Sequence, residues 1–413
     1  MDDQQLLYRL WLCQNCGHDP DRVSRLLKKF GSPEGVFHAN FYDPSFYRTM
    51  NLTGTLNIEP ELEGAQRLLE SCREQGIRIL SITDSAYPEN LRHTPNPPQV
   101  LYALGKLPDL NRLVCVTIVG TRRCSQEGRQ IAEQLGRELS ENGVAVISGM
   151  ACGIDGGAHC GALQAGGTTL AVLAGGVDLV YPPEHTELYR FIRERGAILS
   201  ERPPGMQGQP QFYRQRNRIL AGISHGVVIV EGRERSGTSM TARLASEYSR
   251  DVFAVPGKPT DRLAELPNDL IRDGVKLVSG ALDILEEYIG VYPEKLEYGL
   301  ELKGTPVIGR ISGTQEPKKG RSKRKSTSPK TEGRKPEEKQ PADFEEFLIK
   351  GDFQKEECEI LRFLYNAGGA ADFDELADGC EIDAGALSSM LIILQMKKAV
   401  AQSAGGRYAL RID

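Results

Sequence analysis

Between residues 113 and 255, short unbroken apolar runs alternate with longer amphipathic stretches. Residues 113–119 read as a strand, followed by a helix over 125–142 that Gly143 stops. Further strands are predicted at 144–147, 168–173, 197–199, 227–230 and 252–255, with helices around 158–165 and 238–249. Runs that are apolar throughout belong to strands covered on both faces. Their alternation with helices predicts an α/β fold built on a doubly wound parallel sheet. Ahead of this region the pattern is helical. Leu6, Leu7, Leu10 and Trp11 share one face, and residues 21–30 run into the turn Gly31-Ser32-Pro33. Behind it, residues 358–365, 373–377 and 387–396 read as helices, and 399–410 as two short strands around Gly405-Gly406. Three helices and a terminal hairpin predict a winged helix-turn-helix.

With 413 residues the chain exceeds one ordinary core, so two or three domains are expected. The pattern places a helical module at 1–75, the α/β domain at 76–290, a linker at 291–342 and the winged helix at 343–413. Residues 316–341 carry ten Lys/Arg, four Glu and no aromatic residue, a local +6 that cannot support a core. Residues 343–413 hold seven Lys/Arg against fourteen Asp/Glu, net −7, and the whole chain is −5. Global charge therefore gives no pull toward nucleic acid, and such a contact needs a local patch. There is no charged, apolar leader, and no apolar run nears the about 20 residues of a membrane helix. A cytoplasmic protein without membrane contact is expected. Nine scattered cysteines are not a disulfide framework. Cys13 and Cys16 have C-x-x-C spacing with His18 nearby, but no second pair completes four zinc ligands. Two thiols on a short helix is the simpler account, and no metal is expected.

Unusual residues gather at the carboxyl ends of the predicted strands, where open parallel sheets bind ligands. Gly120-Thr121-Arg122-Arg123 follows the first strand, and residues 148–157 the second. Gly175-Gly176-Val177-Asp178 follows the third, and residues 231–238 a later one. Gly-rich turns and helix starts offer free N–H groups to phosphates, and Ser236-Gly237-Thr238 is the best single example. Taken singly, these turns are equally well explained by loop geometry. No G-x-G-x-x-G follows the first strand and no G-x-x-x-x-G-K-[ST] occurs, so no nucleotide cofactor is expected. Phe212-Tyr213-Arg214-Gln215-Arg216-Asn217-Arg218 sets three arginines on alternate residues behind two aromatics. Aromatic faces stack bases and arginines pair with phosphates, the combination that holds a single strand of nucleic acid. A solvated helix start with arginine–carboxylate pairs is the alternative.

The ordered set resembles the DprA/Smf family of bacterial DNA-processing proteins, from about Tyr87-Pro88 to Val278. Its elements are Ile118-Val119-Gly120-Thr121-Arg122, Ser148-Gly149, Gly153-Ile154-Asp155 with Ala158-His159, Val180-Tyr181-Pro182 and Ser200-Glu201. Arg216-Asn217-Arg218-Ile219, Ser236-Gly237-Thr238 with Thr241-Ala242, and Val255-Pro256-Gly257 complete it. The resemblance implies an extended Rossmann-like domain, flanked by a SAM-like helical module and a winged helix. It implies single-stranded DNA binding in natural transformation, loading of the RecA recombinase, a homodimer through the Rossmann-like domain, and no established catalytic activity. On matching positions, Gly120, Arg122, Ser148, Gly149, Tyr213, Arg216, Asn217, Arg218, Ser236, Gly237 and Thr238 are expected to line the DNA pocket. Cys152 stands where the family usually has arginine, and Arg214 stands at a common proline position. Leu266-Pro267-Asn268-Asp269-Leu270-Ile271 replaces a Gly-Asn-x-Leu-Ile pattern, which leaves the turn there open.

Two other classes compete. Phosphoribohydrolases of related fold carry P-G-G-x-G-T-x-x-E, and here Thr241 stands where that glutamate belongs. A hydroxyl of ordinary pKa does not replace a carboxylate base. Asp155, Asp178 and Glu201 remain near strand ends, with His159 as titratable neighbour; helix capping by Asp155 and packing by His159 are the structural alternatives. A transcription regulator acting through the winged helix is the other class, and the −7 of that segment argues against phosphate binding there.

Overall fold

A computed structural model describes residues 3–39, 61–296 and most of 353–411, with Phe344, Phe347, Leu348 and Gly351. The chain forms two compact units, Met1–Val307 and Ile308–Asp413. Most of the expected linker and the Gly405-Gly406 turn lie outside the described residues.

The first unit is built on nine strands: β1 Arg78–Ser81, β2 Val100–Gly105, β3 Cys115–Val119, β4 Ala145–Ser148, β5 Thr169–Val172, β6 Ala197–Ser200, β7 Gly226–Ile229, β8 Asp251–Ala254 and β9 Lys276–Leu277. They lie in the order β1-β2-β6-β5-β4-β3-β7-β8-β9. From β6 to β9 every neighbouring pair is parallel, for example Val116 opposite Gly226 and Ile147 opposite Leu170. The wholly parallel sheet expected from the sequence is corrected at one edge, where β1 pairs antiparallel with β2, and β2 with β6. The β1–β2 connection holds only the four-residue helix Glu89–Arg92, too short to cover the sheet as a parallel crossover requires. Every residue of β3, β4, β5 and β6 is buried, as strands covered on both faces must be.

Helices Gln126–Glu141 and Ile154–Gln164 cover one face and touch backbone to backbone. A Cβ at Gly161 would lie 1.8 Å from the Glu133 carbonyl oxygen, and one at Gly136 2.3 Å from that of Ala158. The amino-terminal helices Asp3–Asn15 and Pro20–Phe30 belong to the same unit. Arg9 donates to the Gln99 side chain at 2.8 Å, and the buried Arg202 donates to the His18 carbonyl and to Gln215. Cys13 and Cys16 are buried there, and burial pushes the Cys16 thiol up to about 12. No cluster of three or more metal-ligating side chains occurs among the described residues. The departure at 266–271 forms part of helix Glu265–Arg272, whose Asn268 amide bonds both backbone groups of Gly257, at 3.1 and 3.0 Å.

In the second unit, helices Lys355–Asn366, Phe373–Cys380 and Ala384–Met396 accompany a small antiparallel sheet. Its strands are β10 Ala370–Ala371, β11 Val400–Gln402 and β12 Tyr408–Leu410, in the order β10-β12-β11. Ile360, Leu361, Leu364, Leu376, Leu391 and Leu394 fill its core. Among the described residues no helix is long and apolar enough to cross a membrane.

Candidate nucleic-acid interface

The direction of strand addition reverses at β3: β4, β5 and β6 lie on one side of it, β7, β8 and β9 on the other. At such a switch point the loops leaving the two central strands diverge and open a crevice at their carboxyl ends. A cavity of about 560 Å³ sits there, walled by Gly120–Arg123 after β3, by Gly232, Arg233 and Arg235–Thr238 after β7, and by one face of helix Pro210–Ile223. Gly120 has no room for a side chain, since a Cβ would stand 2.4 Å from Ile154. The neighbouring helix starts at Gly153, whose φ of 81° favours glycine.

The wall is cationic. Arg122, Arg123, Arg214, Arg216, Arg233 and Arg235 face a single lining carboxylate, Asp155. All but Arg216 are exposed, and none of those five forms a salt bridge with a described residue. Asp155 is occupied, accepting the N–H groups of Gly149 at 3.1 Å and Ala151 at 3.4 Å. Burial pushes its carboxyl up, opposed first by the Arg216 guanidinium. This balance favours an anionic ligand.

Helix Gly237–Glu247 begins at the cavity with Ser236 as N-cap, in a reciprocal box with Ser239 at 3.2 Å each way. Gly237 and Thr238 have no preceding helical carbonyl for their N–H groups, the arrangement that favours phosphate oxygens. The Asn217 amide and the Thr241 hydroxyl both donate to the Gly237 carbonyl at 3.1 Å and fix this end. Tyr213, Arg216, Asn217 and Leu220 recur at i, i+3, i+4 and i+7, so one helix stripe faces the cavity. The Arg122 guanidinium lies 5.0 Å over the Tyr213 ring. The site thus combines backbone donors, free arginines and an aromatic face.

Residues 78–289 match the family described as DNA recombination-mediator protein A. Protein Smf of Synechocystis is 32% identical over 351 residues, covering 84% of this chain and 83% of its own. The chain belongs to the DprA/Smf family. DNA processing protein DprA of Bacillus subtilis is 40% identical over 221 residues, 54% of this chain and 74% of that one. The X-ray structure of DprA from Streptococcus pneumoniae superposes with a TM-score of 0.56 at 31% identity, covering 68% of this chain and 97% of that chain.

Of the residues carried over from the DprA/Smf resemblance, Gly120, Arg122, Tyr213, Arg216, Asn217, Ser236, Gly237 and Thr238 line the cavity. Ser148, Gly149 and Arg218 are not brought to its wall. The Ser148 hydroxyl is buried and donates to the Ile118 carbonyl at 2.6 Å. Gly149 lies beneath Arg216, where a Cβ would stand 2.2 Å from the guanidinium. Arg218 stands off the cavity stripe and pairs with Glu201, the arginine–carboxylate alternative noted for this segment. Arg216 is itself buried, donating to the carbonyls of Gly149 at 2.7 Å and Val172. Arg123, Arg233 and Arg235 were not among the expected pocket residues, although the turns that carry them, Gly120–Arg123 and 231–238, were both marked in the sequence. Cys152 is not on the wall, and burial pushes its thiol up. His159 is fully buried against Thr169 at 2.7 Å, so it packs.

Proposed function

We propose that this chain binds single-stranded DNA in the switch-point crevice and delivers it to a RecA-type recombinase, as a homodimer of its first unit. The carrying observation is the row of exposed, unpaired arginines around an aromatic face at the end of β3 and β7. Phosphates meet the arginines and helix N–H groups, while bases meet Tyr213. The names of its relatives, DNA processing protein and recombination mediator, agree with this reading. Binding without bond-making fits the Thr241 hydroxyl being tied to Gly237 and the Asp155 carboxylate to backbone N–H groups. We read the second unit as a winged helix that contacts protein, since residues 343–413 carry −7. Residues 1–75 serve as a helical module and 291–342 as a linker.

Fluorescence anisotropy with single- and double-stranded oligonucleotides at two salt concentrations tests the reading. Single strands are expected to bind tighter, with log affinity falling linearly as log salt rises. Equal or better binding of duplex defeats the proposal. RecA nucleation on the bound oligonucleotide, with and without the protein, tests the delivery step.

A further inference from the structure

Tyr181 is 57% exposed, one of three large apolar side chains left open among the described residues. Its exposure is built into the fold, because the loop after β5 that carries it is anchored on several sides. Gly176 N–H donates to the Met206 carbonyl at 2.8 Å, and Gly205 N–H to the Asp178 carboxylate at 2.9 Å. The Tyr189 hydroxyl donates to the Val177 carbonyl within the same loop. The Tyr181 ring stands 6.2 Å from the Tyr213 ring, inclined at 60°. Arg122, Tyr213 and Tyr181 therefore form a row that leads from the cavity wall to open surface.

We propose that Tyr181 is a base-stacking surface for the nucleotide that leaves the arginine-lined cavity, extending the site by one step. This rests on the single-strand reading above. A base inserted between the two tyrosines would need parallel rings about two stacking distances apart; the tilt and short separation leave no such slot. The base therefore lies on the outer face of Tyr181. Glu184, exposed three residues along, puts negative charge beside this loop. Phosphates avoid that charge, so the contact is made by the base. Every base has a π-face, which makes this contact tolerant of sequence.

The test compares the unmodified protein, Tyr181→Ala, Tyr181→Phe and Arg122→Ala on oligo-dT and on an abasic chain of equal length, by anisotropy at several salts. Tyr181→Ala is expected to weaken oligo-dT binding about fivefold to tenfold. Its salt slope should match the unmodified protein, because no phosphate contact is lost. Tyr181→Phe should bind normally, and on the abasic chain Tyr181→Ala and the unmodified protein should be equal. Unchanged oligo-dT affinity in Tyr181→Ala, with Arg122→Ala weakened, overturns the stacking role alone. Equal losses by Tyr181→Ala on both chains overturn it too. Failure of the unmodified protein to bind oligo-dT overturns the site reading together with it.

Discussion

Arg216 and Arg122 both line the cavity, yet Arg216 is 7% exposed beneath the wall while Arg122 stands open upon it. Arg216 holds two carbonyls from the ends of β4 and β5 and lies beside the buried Asp155. Removing it strands a buried carboxylate and two acceptors. Arg216→Ala is therefore expected to cost about 3 kcal/mol or more of stability, read from the urea midpoint. Arg122→Ala should leave the midpoint within about 0.5 kcal/mol and flatten the salt slope of single-strand binding by about 0.7. A large stability loss in Arg122→Ala, or none in Arg216→Ala, contradicts this division. The sequence marked both arginines, but a run at 214, 216 and 218 does not say which one turns inward. That depends on the helix stripe set by Tyr213 and Leu220, and it sends Arg218 to Glu201.

At the scale of elements, the glycines of the two helices on one sheet face set how closely they approach. Helix Ile154–Gln164 follows directly on the loop of Gly149 and Ala151, so its depth fixes that loop against the sheet. Gly161→Ala would place a methyl 1.8 Å from the Glu133 carbonyl, a backbone atom that cannot swing away. A loss of about 1–3 kcal/mol in urea unfolding is expected, and unchanged stability would show that the helices separate freely. Elements apolar on both faces were legible in the sequence to within two or three residues, as in β4, β5 and β6. The edge pair β1 and β2 was not, because β1 is half exposed and no strand–helix alternation announces an antiparallel pair. The Phe212–Arg218 segment was placed just ahead of an apolar helix; it lies within helix Pro210–Ile223, which Pro210 starts.

Across the whole molecule, the crevice exists because β3 lies between β4 and β7, a pairing of strands about 110 residues apart that no local pattern encodes. The sequence showed which loops carry chemistry; it did not show that those after β3 and β7 share one wall. The buried histidines give the first unit a pH dependence. Burial holds His159 down to about 3, and His18 and His225 down to about 4. Unfolded, each titrates near about 6.5. Their contribution is thus complete above that value and is lost as pH falls, at up to about 1.4 kcal/mol per histidine per unit. Asp155, raised by burial, offsets part of the loss near the acid end. Urea midpoints should drop from pH 7 to pH 5, and a midpoint that holds or rises refutes the trend. Charge also separates the roles of the two units. Residues 343–413 carry −7, and the cavity with its exposed arginines lies wholly in the first unit. Deleting 343–413 alone removes negative charge and keeps the basic stretch 316–341, whose +6 would otherwise confuse the comparison. Affinity for single strands should stay within about threefold of the full chain and its salt slope should be unchanged, because no phosphate contact is removed. A tenfold loss on this deletion would mean that the second unit itself meets the DNA.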